Sequence, residues 1–317
     1  MLDNLVLGGG NPESTNAFGL VFNTNGLGKI VLPEGPGGLW KFALGFCGVT
    51  NEMMAQSGLS FIRRSSDSGW NYFIANRSGT YFDGWITLGR DAKSVVILDP
   101  MTGNSGVATR HGDGQIHLQL PAGESLILRA FASDEVKGTA WNYWQFTGQP
   151  VEITGQWNVK FISGGPTLPA DSQITKLASW TTFADTNAQS FAGTASYTTT
   201  FDAPDSSAGK NYFLDLGDVR QSARVKLNGK DYGTLITPPF RVVVDNLKPT
   251  GNTLEVEVTS VAANRIRDLD RRGVQWKIFK DINIVNVDYK PFDASNWPLT
   301  DCGLLGPVTL TAVTDAN

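Results

Sequence analysis

Apolar and polar residues alternate with a period of two over much of this chain, in short runs. Tyr197, Thr199 and Phe201 alternate with Ser196, Thr198 and Thr200; Tyr212, Leu214 and Leu216 alternate with Phe213, Asp215 and Gly217. Val225 and Leu227 then alternate with Lys226 and Asn228. Such alternation in β-branched and aromatic residues predicts half-buried strands. Asn228-Gly229 lies between two of these runs and predicts a tight hairpin, because a type I′ turn needs positive φ at both central positions. Pro238-Pro239 and Pro249–Asn252 are further breaks.

The N-terminal half reads as a meander. Strands are expected at Leu59–Arg64, Trp70–Ala75, Gly79–Leu88, Ser94–Leu98, Gln115–Leu120 and Ser125–Ala130. Turn signals separate them, among them Ser68-Gly69, Pro100-Met-Thr-Gly103 and His111-Gly-Asp-Gly114. Before them, residues 1–45 are Gly-rich, with one hairpin expected from Phe18–Phe22 and Lys29–Leu32. Phe46–Gln56 is the early segment that reads as a short helix. Ala263–Gly273 and Pro291–Asp301 read as polar, irregular loops. The fold class is therefore all-β, with two β-sandwich domains at 1–135 and 136–317, the second a jelly roll.

Composition narrows the function classes. The 317 residues carry a net charge of −4 and no basic tract, which argues against nucleic acid as a partner. No apolar run reaches the roughly 18 residues of a membrane span. The first residues, MLDNLVLGGGNPES, have neither the basic start nor the apolar core of a signal peptide. The two cysteines, Cys47 and Cys302, lie near opposite ends and read as separate buried thiols. With only His111 and His117, neither a zinc site nor a Ser-His-Asp triad is supported, and no metal ligand set is assigned.

One series of motifs resembles a known family. Trp180, Phe191-Ala-Gly-Thr-Ala-Ser-Tyr197, Leu214-Asp-Leu-Gly-Asp-Val219 and Ala223-Arg-Val-Lys-Leu-Asn-Gly229 look like the galactose-binding-like sandwich of family 2 glycoside hydrolase relatives. Pro238-Pro-Phe-Arg241, Gly251–Val256, Ala263-Asn-Arg265 and Gly303-Leu-Leu-Gly-Pro307 extend it, most closely toward the C-terminal part of the α-L-rhamnosidases of family 106. Phe61-Ile-Arg-Arg64, Tyr72–Asn76, Ile97-Leu-Asp-Pro-Met-Thr-Gly103 and Leu118–Ser125 resemble the preceding sandwich of that family, so the resemblance covers about residues 57–313. The resemblance implies a carbohydrate-active protein with a saccharide as its partner, and relatives that are usually exported. The family's catalytic barrel has no counterpart here, since such a barrel needs about 250 residues. A missing upstream catalytic domain is thus an implied partner. No cofactor is expected; structural Ca²⁺ is implied only by the resemblance, with Asp99, Asp113 and Asp215 as loop oxygens and no EF-hand spacing.

Three readings follow. The first is saccharide binding through the sandwiches, the second a small stand-alone glycosidase with its site in loops at the domain junction. The third is a non-enzymatic sandwich that docks a protein. Paired carboxylates would serve hydrolysis, and Asp268 and Asp270 are the catalytic candidates, beside four arginines whose charge suits a nucleophile or base. Asn264 and Arg265 can hydrogen-bond sugar hydroxyls in fixed geometry. Trp141, Trp144 and Trp297 can stack on sugar rings. The expected site lies where Ala263–Gly273 and Pro291–Asp301 meet the first sandwich, away from the sheet faces.

Overall fold

The computed structural model describes residues 21–24, 29–32, 52–204, 211–278 and 290–316. β1 (Val21–Thr24) and β2 (Lys29–Leu32) pair antiparallel, a hairpin whose first strand lies a few residues later than the expected Phe18–Phe22. Cys47 and most of the Phe46–Gln56 segment lie outside the described residues; Met53–Ser57 forms a 3₁₀ turn ended by Gly58 in the left-handed region.

The first sandwich contains β3 (Leu59–Ser66), β4 (Gly69–Asn76), β5 (Phe82–Ile86), β6 (Ser94–Leu98), β7 (Ser105–Val107), β8 (Ile116–Leu120) and β9 (Ser125–Phe131). Five of these form a sheet in the order β3-β4-β9-β6-β7, and β5 and β8 form a separate ribbon. Alternation decides which side is buried. In β8, Ile116, Leu118 and Leu120 point inward and join Tyr72, Ile74, Ile97 and Leu128 in one core. Each such side chain taken fully from water contributes about 1.5–3 kcal/mol. Buried Glu52 ties this core's base together, accepting from Arg63, from the Tyr72 hydroxyl at 3.2 Å and from the Gly89 N–H at 2.6 Å. Burial, then the Glu52 charge, pushes the Tyr72 hydroxyl up to about 12.

A crossing segment then supplies β10 (Trp144–Phe146) and β11 (Val151–Glu152). The second sandwich follows with β12 (Trp157–Gly165), β13 (Ser172–Ile174), β14 (Ala192–Phe201), β15 (Asn211–Asp215), β16 (Asp218–Arg220), β17 (Ser222–Leu227), β18 (Lys230–Leu235), β19 (Arg241–Val244) and β20 (Asn252–Thr259). A helix, α1 (Ala263–Arg271), precedes β21 (Gly303–Gly306) and β22 (Thr309–Asp315). One sheet runs β13-β12-β14-β20-β17-β18; the other runs β10-β22-β15-β19, with β11 also on β22. The register sets Val159, Tyr197, Val256 and Val225 side by side, all buried. One residue along, Thr198, Glu255 and Lys226 line up on the solvent side, where Lys226 Nζ reaches both Glu255 and Glu257 at 2.9 Å.

The Asn228-Gly229 hairpin joins β17 to β18 with φ of 51° and 81°, the signs a type I′ turn demands. Asn228 Nδ2 donates to buried Asn252, and Asn228 Oδ1 accepts from the Thr253 N–H, so the turn is pinned to β20. One expectation is corrected here. Ala263–Gly273 is not an irregular loop: residues 263–271 are helical, and Asp268 pairs with Arg265 three residues before it and with the capping Arg272 four residues after it.

Candidate functional site

A cavity of about 560 Å³ opens between the two sandwiches. Its walls come from the Asp99–Ser105 turn, from Pro121–Leu126, from the crossing segment at Thr139–Trp144, and from Thr237–Pro239 and Arg241–Val243 of the second sandwich. Its size lies in the range of small-molecule sites.

Trp141 is placed by backbone geometry. Val107 N–H donates to Thr139 O and Trp141 N–H to Val107 O, both at 2.8 Å, so the crossing chain lies directly on β7. Only a glycine permits that approach at residue 106, where a Cβ would sit 2.5 Å from the Trp141 Cα. Trp144 is held by a reciprocal pair: Gln119 Oε1 accepts from its N–H at 2.8 Å and Gln119 Nε2 donates to its carbonyl at 2.9 Å. Both indoles are half-buried.

Glu124 and Arg241 meet across the junction. Arg241 Nε stands 2.7 Å from Glu124 Oε1 as an ion pair without a directed hydrogen bond, and Arg241 Nη2 donates to the Ala122 carbonyl at 3.2 Å. Burial raises the Glu124 pKa, and Asp99 and Asp215 add to it; the Arg241 charge opposes but does not cancel the rise. Tyr81, at the rim, is raised chiefly by burial and then by Asp83 and Glu124. Asp99 caps its own turn, accepting from the Met101 N–H at 2.8 Å and the Thr102 hydroxyl at 2.7 Å.

The sequence-derived candidates separate into two groups. Trp141 and Trp144 line the cavity; Asn264, Arg265, Trp297, Asp268 and Asp270 do not. Asn264 is buried and clamps Thr300, donating to its carbonyl at 2.7 Å and accepting from its N–H at 2.8 Å. Its Nδ2 also lies 3.3 Å from the Sγ of buried Cys302, whose thiol burial pushes up to about 11. Arg265 and Arg272 both turn onto Asp268, at 3.1 Å and 2.8 Å. Asp270, with a side chain only 6% exposed, accepts from the Ala294 N–H at 2.8 Å, from the Trp276 indole at 2.7 Å and from Lys277 at 3.0 Å. Burial opposes its charge, but those three donors outweigh it and hold the carboxyl below its usual range. Trp297 is 39% exposed and sits edge-on to Phe292 at 5.5 Å, with Arg267 donating to its carbonyl.

Sequence reasoning did not single out Tyr81, Gln119, Glu124 or Arg241 as site residues. Glu124 and Arg241 stood within two of the motifs that carry the family resemblance. Among the described residues no group of three His, Cys, Asp or Glu side chains is placed to hold a metal ion. No helix among them is long and apolar enough to cross a membrane.

No protein-family model matches the chain. A Formosa agariphila protein named "Putative beta-glucuronidase" is 34% identical over 189 residues, 53% of this chain and 16% of that protein. The rhamnosidase of Novosphingobium sp. PP1Y superposes with a TM-score of 0.61 at 24% identity, over 86% of this chain and 26% of that one. The chain thus spans about a sixth of the curated relative and about a quarter of the structural one. The chain is all-β, and it is similar in sequence to a minor part of the first of these proteins and in fold to a minor part of the second.

Proposed function

We propose that this chain binds a saccharide in the cavity between its sandwiches and serves a catalytic domain carried elsewhere, as in α-L-rhamnosidase-like enzymes of family 106. The observation that carries this is the pairing of two fixed indoles, Trp141 and Trp144, with Gln119, Glu124 and Arg241 in one concave site. Indole faces suit the C–H faces of sugar rings, and the fixed amide and charged groups suit hydroxyls. The fold shared with the Novosphingobium rhamnosidase supports the family reading. Two separate hydrophobic cores support a division into two domains near residue 135, with Tyr143 reaching back into the first core.

The test is calorimetric titration with mono- and oligosaccharides of rhamnose, galactose and glucose. Trp141→Ala and Trp144→Ala should each weaken binding by about 1–2 kcal/mol; Trp144→Ala should change the melting temperature little, whereas Trp141→Ala should also lower it, because that ring packs against the first core. Affinity that survives the double substitution removes the cavity as the site.

One observation favours hydrolysis by this chain alone: two carboxyl groups, Glu124 and Asp99, line the same cavity, and burial raises the pKa of Glu124. A raised carboxyl suits a general acid, with the second carboxylate as its partner. Release of nitrophenol from aryl glycosides, abolished in Glu124→Gln, would establish it.

A further inference from the structure

The outward face of the β5–β8 ribbon continues from the cavity rim. Phe82 and Ile86 face the core, so Asp83 and Trp85 face out, and the register puts Gln119 beside Asp83 and His117 beside Trp85. Gln119 belongs to the cavity wall. Its Nε2 also donates to Asp83 Oδ2 at 3.0 Å, and Asp83 Oδ1 lies 2.6 Å from His117 Nε2. His117 stacks on buried Tyr143 at 4.5 Å and holds the Trp85 ring at 5.1 Å. His111 closes on the same indole edge-on at 5.7 Å.

Trp85 is therefore a large ring, 44% exposed, fixed between two imidazoles, at the end of a hydrogen-bonded row that starts in the cavity. Packing accounts for the inward residues of β5 but not for an immobilised indole on its outer face. We propose that this row extends the cavity into a groove for a neutral oligosaccharide, with Trp85 as a distal stacking subsite. The inference rests on the saccharide reading of the cavity and adds the length and charge of the ligand.

Length follows from strand geometry. Tyr81 at the rim and Trp85 are four residues apart, about 13 Å of extended chain, a span that one sugar ring cannot bridge. Charge follows from the lining. Asp83, Asp99 and Glu124 are acidic, and Arg241, the cationic side chain in the cavity wall, is already paired to Glu124. A chain of uronic acids would meet net negative charge, whereas neutral hydroxyls can donate to the carboxylate positions of Asp83 left free by His117 and Gln119.

The experiment is titration of the whole chain with neutral rhamno-, galacto- and gluco-oligosaccharides of one to four units, and with an oligouronate of equal length. The expected result is an affinity gain of about tenfold from monosaccharide to tetrasaccharide in one neutral series. Trp85→Ala should abolish that gain and leave monosaccharide affinity within about twofold, and Trp85→Phe should restore part of it. Circular dichroism of both variants should match the parent, since the ring is not core. Equal affinity for one and four units, or a gain that survives Trp85→Ala, overturns the groove and leaves the cavity reading standing. Preference for the oligouronate overturns the neutral assignment. Failure of every saccharide to bind removes the cavity reading and the groove together.

Discussion

The cavity at the junction and the helix-loop assembly around α1 hold the same kinds of side chain, Trp, Arg and carboxylate, but use them differently. Around α1 the polar groups face one another. Asp270 has three protein donors, Asp268 has two guanidinium groups, and Asn264 spends both ends of its amide on Thr300. In the cavity the partners lie on one side only, and the indoles and the Glu124 carboxylate keep a face toward open space. The residue types alone do not separate a site from a brace. What separates them is whether the hydrogen-bonding capacity is used up within the protein.

The strongest test of that contrast is Asp270→Ala. It strands the Trp276 and Ala294 donors and removes the ion-pair partner of Lys277, and should cost about 3 kcal/mol of stability with saccharide affinity unchanged. The sign with pH is fixed by the lowered carboxyl. The stabilisation is complete above the ordinary Asp range near 4 and is lost as pH falls through the lower folded value. Melting curves of parent and variant should therefore converge in acid. Intact stability with lost binding would instead move α1 into the site.

Asn264→Ala comes next. Loss of the Thr300 clamp should lower the denaturation midpoint by the equivalent of about 2 kcal/mol, because buried Asn264 holds the partly buried Thr300 backbone by both its N–H and its carbonyl. Leaving the slope unchanged would mark it as a stability effect alone.

The smallest effect is expected at the exposed edge of the assembly. Arg265→Ala and Trp297→Ala should each change stability by less than about 1 kcal/mol, since one loses a partly exposed ion pair and the other an exposed ring. Neither should alter saccharide affinity. A tenfold loss of binding in either would erase the distinction between the two regions.

Much of the fold was readable because its causes are local. Asn228-Gly229 specified its own turn, and the alternation in Tyr197–Phe201 and Val225–Leu227 specified which faces are buried. Where local cues were thin the reading slipped. β7 has three residues and exists because β6 and the crossing chain pair with it. The Gly79–Leu88 expectation shortened to Phe82–Ile86, since Ser78 and Thr80 fold back onto Asn76 side-chain bonds. α1 carries only a short apolar stripe, Ala263, Ile266 and Leu269, among many charges, some of them opposite charges three and four residues apart. Trp141 and Trp144 were readable as aromatic candidates, but the cavity was not. Glu124 and Arg241 lie in different sandwiches, and no pattern along the chain announces that they meet.

β22 has a consequence for how the second sandwich forms during synthesis. β22 pairs with β10, β11 and β15, and Asp215 finds its partner at Thr309. During translation at about 5–20 residues per second, β15 emerges roughly 5–20 seconds before the strand that covers its edge. The first sandwich, whose strands end at Phe131, can be complete by then. The second must wait with an unpaired strand edge in the open, the feature by which nascent chains adhere to one another. Ribosome spacing and chaperone supply over the codons between β15 and β22 should therefore govern how much of the second sandwich folds.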